Sequence, residues 1–185
     1  MSKILRHEAT NKDLEIDSNG WVSIDSILAH LKTIECFRHT TLEDIIQIVE
    51  DEKQKKVRFT IRYGKIRANQ DHTIPGINPD LTEITDPSKI PVCIHGTYDT
   101  CIDIISRNGL CKMKRNHIHM NTKIPEPGMV ISGMRQSCNR IVWINISKAM
   151  ELGIKFFVST NGVILSPGND DGYIPPSCFD NITER

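Results

Sequence analysis

Val57-Arg58-Phe59-Thr60-Ile61-Arg62-Tyr63-Gly64-Lys65-Ile66-Arg67-Ala68-Asn69-Gln70 is the stretch whose reading decides the first half of the chain. Residues 57 to 62 alternate apolar and polar with the period of two that a strand requires. Tyr63-Gly64 is a tight turn, and Lys65 to Asn69 returns. A two-residue hairpin pairs Ile61 with Ile66 and Phe59 with Ala68 on one buried face. The same register puts Arg58, Arg62, Lys65 and Arg67 on the opposite face. Lys53, Lys55 and Lys56 lead into it, so residues 53 to 70 hold seven basic side chains and no acidic one.

Upstream, Trp21, Val22 and Ile24 predict a short strand after the Asn19-Gly20 turn. A helix follows, capped by Ser23 or Asp25, with Ile27, Leu28 and Leu31 turned inward. A second helix starts near Thr40, where Thr40-x-x-Glu43 has the capping-box pattern. Leu42, Ile45, Ile46 and Val49 form its apolar face. Two helices and a basic hairpin make a winged-helix outline, which suits a phosphate backbone contacted by Lys and Arg. A solvated strand face is the plainer alternative.

Downstream, residues 74 to 91 contain four prolines in eighteen positions. Such a run forbids a long helix or a central strand and reads as a linker. The second half reads as mixed α/β. Val92-Cys93-Ile94 is a buried strand leading into His95-Gly96-Thr97. Residues 99 to 107 are helical and stop at Gly109. His117-Ile118-His119-Met120 is a strand with both histidines on one face. Arg140 to Ile146 is another strand, followed by a helix from Ser147 to Leu152. Phe156–Val158 and Val163–Leu165 flank an Asn161-Gly162 hairpin turn. From Gly168 onward the chain reads as loops. Trp21 and Trp143 read as core residues rather than base-stacking platforms.

The chain has 185 residues and a formal net charge of zero, so no global charge announces nucleic acid. No segment approaches the ~18 apolar residues of a membrane span, and no apolar signal region opens the sequence. The expectation is an intracellular, soluble monomer, cytoplasmic or nuclear. Six cysteines include no Cys-x-x-Cys pair, which argues against a zinc ribbon or a redox motif and for free buried thiols. His117 and His119 share a face but lack an evident acidic or cysteine partner, so a metal is not expected. A Walker phosphate loop and a Gly-x-Gly-x-x-Gly turn are both missing from the sequence, which leaves a P-loop or Rossmann site unsupported. His95-Gly96-Thr97 is a different kind of candidate: Gly permits close backbone approach, and His95 and Thr97 offer polar groups to a ribose or an amide.

Arginine matches phosphate with a rigid fork of donors, and histidine can carry a proton near neutral pH. Leu5-Arg6-His7, Asn19-Gly20-Trp21-Val22-Ser23-Ile24, Ile66-Arg67-Ala68-Asn69-Gln70, His95-Gly96-Thr97, Gly109-Leu110 with His117-Ile118-His119-Met120, Ile131-Ser132-Gly133-Met134-Arg135 and Asn161-Gly162-Val163-Ile164-Leu165 follow one another in this order. In order and wording these segments resemble the RNA 2′-phosphotransferase family over nearly the whole chain. The resemblance implies an α+β protein with a winged-helix-like RNA lobe (residues 1–73), a linker (74–91) and a lobe of the ADP-ribosyltransferase fold (92–185). It implies NAD⁺ as co-substrate and an RNA with an internal 2′-phosphate, as in spliced tRNA, as the other. The RNA phosphate would displace nicotinamide from its ribose, and a ribose hydroxyl would then attack phosphorus. Products would be 2′-OH RNA and ADP-ribose 1″,2″-cyclic phosphate.

By the same resemblance Arg6, His7, Arg67 and Arg135 are catalytic, the arginines holding phosphate and His7 carrying a proton. His95, Gly96, Thr97, Gly109, Leu110, His117 and His119 line the NAD⁺ site. The chain departs from the family at three points. Only Met1–Leu5 precedes Arg6, a marginal length for a helix. Thr73 replaces Ser. Asp71 stands where the family usually has Gly, a carboxylate able to weaken local anion binding or pair with an exposed base. Two other readings stand beside the main one: an ADP-ribosyltransferase acting on terminal phosphates of RNA or DNA, and a winged-helix binding module with a decayed second lobe.

Overall fold

The structure, a computed structural model, describes residues 1–50, 57–77, 80–124, 126 and 131–185. It is a mixed α/β protein with four small antiparallel sheets and short helices. The chain divides into two compact units, Met1–Asp80 and Leu81–Arg185. The lysines at 53, 55 and 56 lie outside the described residues.

In the first unit, strands β1 (Val22–Ser23), β2 (Phe59–Arg62) and β3 (Lys65–Ala68) form a sheet in the order β1-β3-β2. The hairpin register is the expected one, with Ile61 opposite Ile66 and Phe59 opposite Ala68. Tyr63 and Gly64 turn the chain at φ of 48° and 69°, the paired positive values of a type I′ hairpin. Asn69 closes the open end: its N–H donates to the Arg58 carbonyl at 2.9 Å, and its side chain bonds Val57 and Thr60.

Helix α1 (Ile24–Lys32) begins directly after β1, so Ile24 is helical rather than extended, and it buries Ile24, Ile27 and Leu31. Helix α2 (Leu42–Glu50) is capped one residue later than the sequence predicts. Thr41 Oγ1 accepts from Asp44 N–H at 3.2 Å, and Asp44 Oδ2 accepts from Thr41 N–H at 2.8 Å. That is a reciprocal box built from Thr41 and Asp44 instead of Thr40 and Glu43. Of the expected apolar face only Ile45 is buried, and Leu42 is 42% exposed.

The N-terminal turn (Ile4–Glu8) is π-helical and places Ile4 and Leu5 in the core beside Ala9, Val22, Ile27, Ile66 and Ala68. Two buried side chains therefore anchor a segment too short to hold a helix by itself. The 74–91 stretch is not a free linker. Ile74 and Ile77 are buried in the first core, and Ile84 is buried in the second unit's core.

The second unit contains β4 (Thr82–Glu83), β5 (Ile94–Thr97), α3 (Ile102–Asn108), β6 (Leu110–Cys111), β7 (Ile118–Met120), β8 (Arg140–Ile144), α4 (Ile146–Glu151), β9 (Lys155–Val158), β10 (Ile164–Gly168), β11 (Tyr173–Ile174) and β12 (Phe179–Glu184). They form sheets β4-β9-β10-β7, β12-β8-β5 and β11-β6. The first two meet where Ile94 and Asn121 exchange backbone hydrogen bonds of 2.8 Å. Beneath them lies a core of Ile118, Met120, Val142, Ala149, Phe156, Ile164 and Ile174. Strand β5 runs through His95-Gly96-Thr97 instead of ending before it. The terminal residues, expected as loop, form β12 and pair with β8 from Phe179 to Glu184. A register shift between Phe179 and Asn181 breaks the alternation that would have marked this strand. Among the described residues no helix is long and apolar enough to cross a membrane. Of the cysteines, 93, 138 and 178 are buried, whereas Cys36 is exposed.

Candidate functional site

Arg6, His7 and Arg67 belong to the first unit. Burial of Leu5 directs the next two side chains away from the core and toward the segment that follows β3. The Arg6 carbonyl accepts from the Thr73 backbone N–H at 2.9 Å. His7 Nδ1 and Thr73 Oγ1 lie 3.0 Å apart. Arg6 Nη1 is 3.3 Å from Asp71 Oδ2. The N-terminal turn and residues 71–73 are thus laced together by both backbone and side chains.

Arg67 is the surprise. Alternation puts it on the face away from the core, yet its side chain is only 3% exposed. Two residues cover it. Its guanidinium lies 4.5 Å over the Trp21 ring, a cation–π distance. Its Nη2 is 2.8 Å from Asp80 Oδ2. Arg67 Nε and Nη1 are buried and make no hydrogen bond among the described residues. Trp21 is therefore the seat of Arg67 rather than a plain core residue. Its position is set by an Asx turn in which Asp17 Oδ1 accepts from the N–H groups of Asn19 and Trp21, both at 3.0 Å.

His72 was not singled out by its sequence. It is buried, and its Nε2 donates to the Ala68 carbonyl at 2.9 Å, which leaves Nδ1 as a lone pair without a hydrogen-bond partner among the described residues. Desolvation pulls its pKa below the ordinary histidine value, and Arg6 and His7 act in the same direction.

In the second unit, His95 Nδ1 donates to the His119 carbonyl at 2.7 Å. A carbonyl only accepts, so this bond selects the Nδ1–H tautomer and leaves Nε2 as an acceptor. Desolvation lowers the His95 pKa, which the His119 carbonyl partly opposes. Thr97 and His119 are buried. Gly96 meets the protein itself: a Cβ there would stand 2.7 Å from Cys138 Sγ and Met134 Cγ. His117 lies just before β7, its ring edge-on to Phe157 at 6.2 Å. Gly109 ends α3 at φ 93°, and a Cβ on it would collide with the Ile174 carbonyl. The Leu110 side chain is in the main core.

Arg135 is exposed, and its placement is a local construction. Gly133 turns the chain at φ 79° against Val163. Met134 is then buried beside Ile94, Cys138 and Ile141, so the following side chain must point out. The Arg135 guanidinium lies 6.0 Å from the Tyr98 ring centre. The Tyr98 hydroxyl is 2.8 Å from Ser137 Oγ, and that hydrogen bond, with Arg135 beside it, holds the phenol below its ordinary pKa. Asn161 and Gly162 form a turn in which Ser159 Oγ bonds Asn161 and Val163. Among the described residues no three His, Cys, Asp or Glu side chains gather as a metal site.

The chain matches the family model described as RNA 2′-phosphotransferase, Tpt1/KptA family, over residues 1–168. It belongs to the RNA 2′-phosphotransferase family. The enzyme is 37% identical to "tRNA 2′-phosphotransferase 1" of Danio rerio over 97% of its own length and 80% of the relative's. It is 40% identical to a putative tRNA 2′-phosphotransferase of Schizosaccharomyces pombe, spanning 91% of itself but 46% of that longer protein. Against "tRNA 2′-phosphotransferase 1" of Homo sapiens the identity is 34%, over 97% of the enzyme and 71% of the relative.

The sequence missed Trp21, Asp71, His72 and Asp80 as neighbours of the arginines. Asp71 alone carried a signal, as a departure from the family's Gly. Its φ of 68° explains why Gly suits that position.

Proposed function

We propose that the enzyme removes the internal 2′-phosphate from spliced tRNA with NAD⁺ as co-substrate. The first unit then serves as a winged-helix-like RNA lobe and the second as an ADP-ribosyltransferase-like lobe. The observation that carries this reading is the buried Arg67 guanidinium, fixed over Trp21 with two nitrogens that make no hydrogen bond among the described residues. A buried cation with spare donors is costly unless an anion completes it. Phosphate, with several acceptor oxygens, is such an anion.

Arg6 and Arg67 orient the 2′-phosphate and disperse the charge that develops during transesterification, and Arg135 is the further arginine that the family pattern assigns to catalysis. His7, held by Thr73, donates to phosphate and carries the proton of the second step. His95, with Nε2 open as an acceptor, and the hydroxyl of Thr97 suit ribose and amide groups. His119 orients His95 through its carbonyl, and Gly96, Gly109, Leu110 and His117 are the remaining positions that the family pattern assigns to NAD⁺. Desolvation favours the neutral form of His95, so it and the Thr97 hydroxyl offer uncharged polar groups to the positively charged nicotinamide. The RNA phosphate expels nicotinamide from the ribose, giving a 2′-phospho-ADP-ribosylated RNA. A ribose hydroxyl then attacks phosphorus and the bond to the RNA 2′ oxygen breaks, the hydroxyl's proton passing by way of His7 to the departing 2′-OH.

A short RNA bearing one internal 2′-phosphate, incubated with the protein with and without NAD⁺, tests the reading. NAD⁺-dependent 2′-OH RNA, nicotinamide and ADP-ribose 1″,2″-cyclic phosphate are expected, and Arg67→Ala abolishes or stalls the reaction. ADP-ribosylated RNA as the end product would favour an enzyme that stops after the first transfer. No reaction, with RNA binding indifferent to NAD⁺, would leave a binding module.

A further inference from the structure

Both proposed phosphate-binding arginines of the first unit already hold an anion from their own chain. Asp71 Oδ2 lies 3.3 Å from Arg6 Nη1, and Asp80 Oδ2 lies 2.8 Å from Arg67 Nη2. The two aspartates share a second property. Each sits at positive φ, 68° for Asp71 and 33° for Asp80. Few residues other than glycine adopt that region, and Asp and Asn are the usual exceptions. Backbone held there persists where the surroundings demand it, and such positions gather at functional sites.

Exposure divides the partners. The arginine side chains are 18% and 3% exposed, the aspartates 28% and 48%. Each arginine is thus more buried than the carboxylate it meets: Arg67 is seated on Trp21, and both carboxylates border solvent. Asp80 meets Arg67 through Nη2, and among the described residues Nε and Nη1 make no hydrogen bond. A carboxylate in that place completes the charge but leaves the donors of the fork unfilled.

We infer that Asp71 and Asp80 are specificity-determining residues, displaceable carboxylates that admit a phosphomonoester to Arg6 and Arg67 and turn away phosphodiesters. The inference rests on the reading that these arginines receive the 2′-phosphate. Its physics is charge exchange. A backbone diester carries one negative charge, as a carboxylate does, so replacing one by the other gains little. A monoester carries about −1.5 to −2 at neutral pH and three strong acceptor oxygens. It outbids the carboxylate in charge and fills the spare donors. RNA offers a diester at every nucleotide, and uncovered arginines would bind them indiscriminately. The carboxylates supply the repulsive element that specificity requires.

The test measures binding of the full chain to a labelled short RNA with and without one internal 2′-phosphate, by fluorescence anisotropy. Wild type is compared with Asp71→Asn, Asp80→Asn and the double variant; Asn keeps the size and the tolerance of positive φ. Wild type prefers the phosphorylated RNA. In the double variant the unphosphorylated RNA gains most, and the preference narrows at least about fivefold, the upper end for an exposed charge pair and a floor for these more buried ones. An unchanged or widened preference overturns the inference. Wild-type protein without any preference would instead overturn the underlying reading, and the inference with it. Should the variants unfold, competition on wild type decides. Methyl phosphate displaces the phosphorylated RNA and dimethyl phosphate does not; equal displacement overturns the inference.

Discussion

The guanidinium of Arg67 is stacked 4.5 Å over the indole of Trp21. This contact turns the exposed face of a hairpin strand into a buried, positively charged floor. It depends on the Asx turn at Asp17 that presents Trp21 and on the open face of β3.

Trp21→Leu keeps an apolar side chain but removes the ring face. A cation–π contact desolvated to this degree is worth about 1–2 kcal/mol. Turnover of a 2′-phosphorylated RNA is expected to fall about tenfold in kcat/KM, and the thermal midpoint by a few degrees as the contact is lost from the fold. Steady-state kinetics beside a circular-dichroism melt check both halves. Unaltered kinetics would mean that Trp21 is packing alone.

Leu5 is completely buried and ties the N-terminal turn to the first core. Leu5→Ala leaves a cavity and costs about 3 kcal/mol. Urea unfolding followed by Trp21 fluorescence in a Trp143→Phe background should show that loss. Because Arg6 and His7 follow Leu5 directly, activity should fall further than the unfolded fraction explains.

Gly96→Ala tests whether this glycine answers to packing. The added Cβ would stand 2.7 Å from Cys138 Sγ and Met134 Cγ. Overpacking of this kind costs about 1–3 kcal/mol, so a lowered denaturation midpoint is expected. Met134→Ala in the same chain should recover part of it. A Gly96→Ala variant as stable as wild type would show that Met134 moves freely.

Stability should decline in mild acid. His72 and His95 both have folded pKa values below the ordinary 6.5, first of all through desolvation. In that window the unfolded chain binds more protons than the folded one, so stability rises with pH. The contribution is complete above about 6.5 and is lost as pH drops below it toward the folded values. Urea midpoints at pH 7.5 and pH 5.0 should differ in that direction, and His95→Gln should reduce the difference. A midpoint that rises on acidification would contradict the sign.

Local pattern read the hairpin, its register and the end of α3 at Gly109, because each is decided by neighbours in sequence. It placed the cap of α2 one residue early, since Thr40 and Thr41 offer the same hydroxyl and only the backbone geometry chooses between them. It lost β12 to a register shift that breaks the alternation. For the candidate site, residue types and their order pointed to Arg6, His7, Arg67 and Arg135. They carried no hint that Arg67 is buried, because strand alternation describes one sheet and not what covers its far face.

By itself the sequence determined the two-residue period of β2 and β3, the arginines and histidines available, and membership of a phosphotransferase family. Only the tertiary structure decided what those side chains meet. Trp21 beneath Arg67, Asp80 against it and Asp71 against Arg6 come from separate segments of the first unit. Periodicity has the range of a few residues, whereas the burial and pairing of a charge are settled by whichever distant segments the fold brings to it.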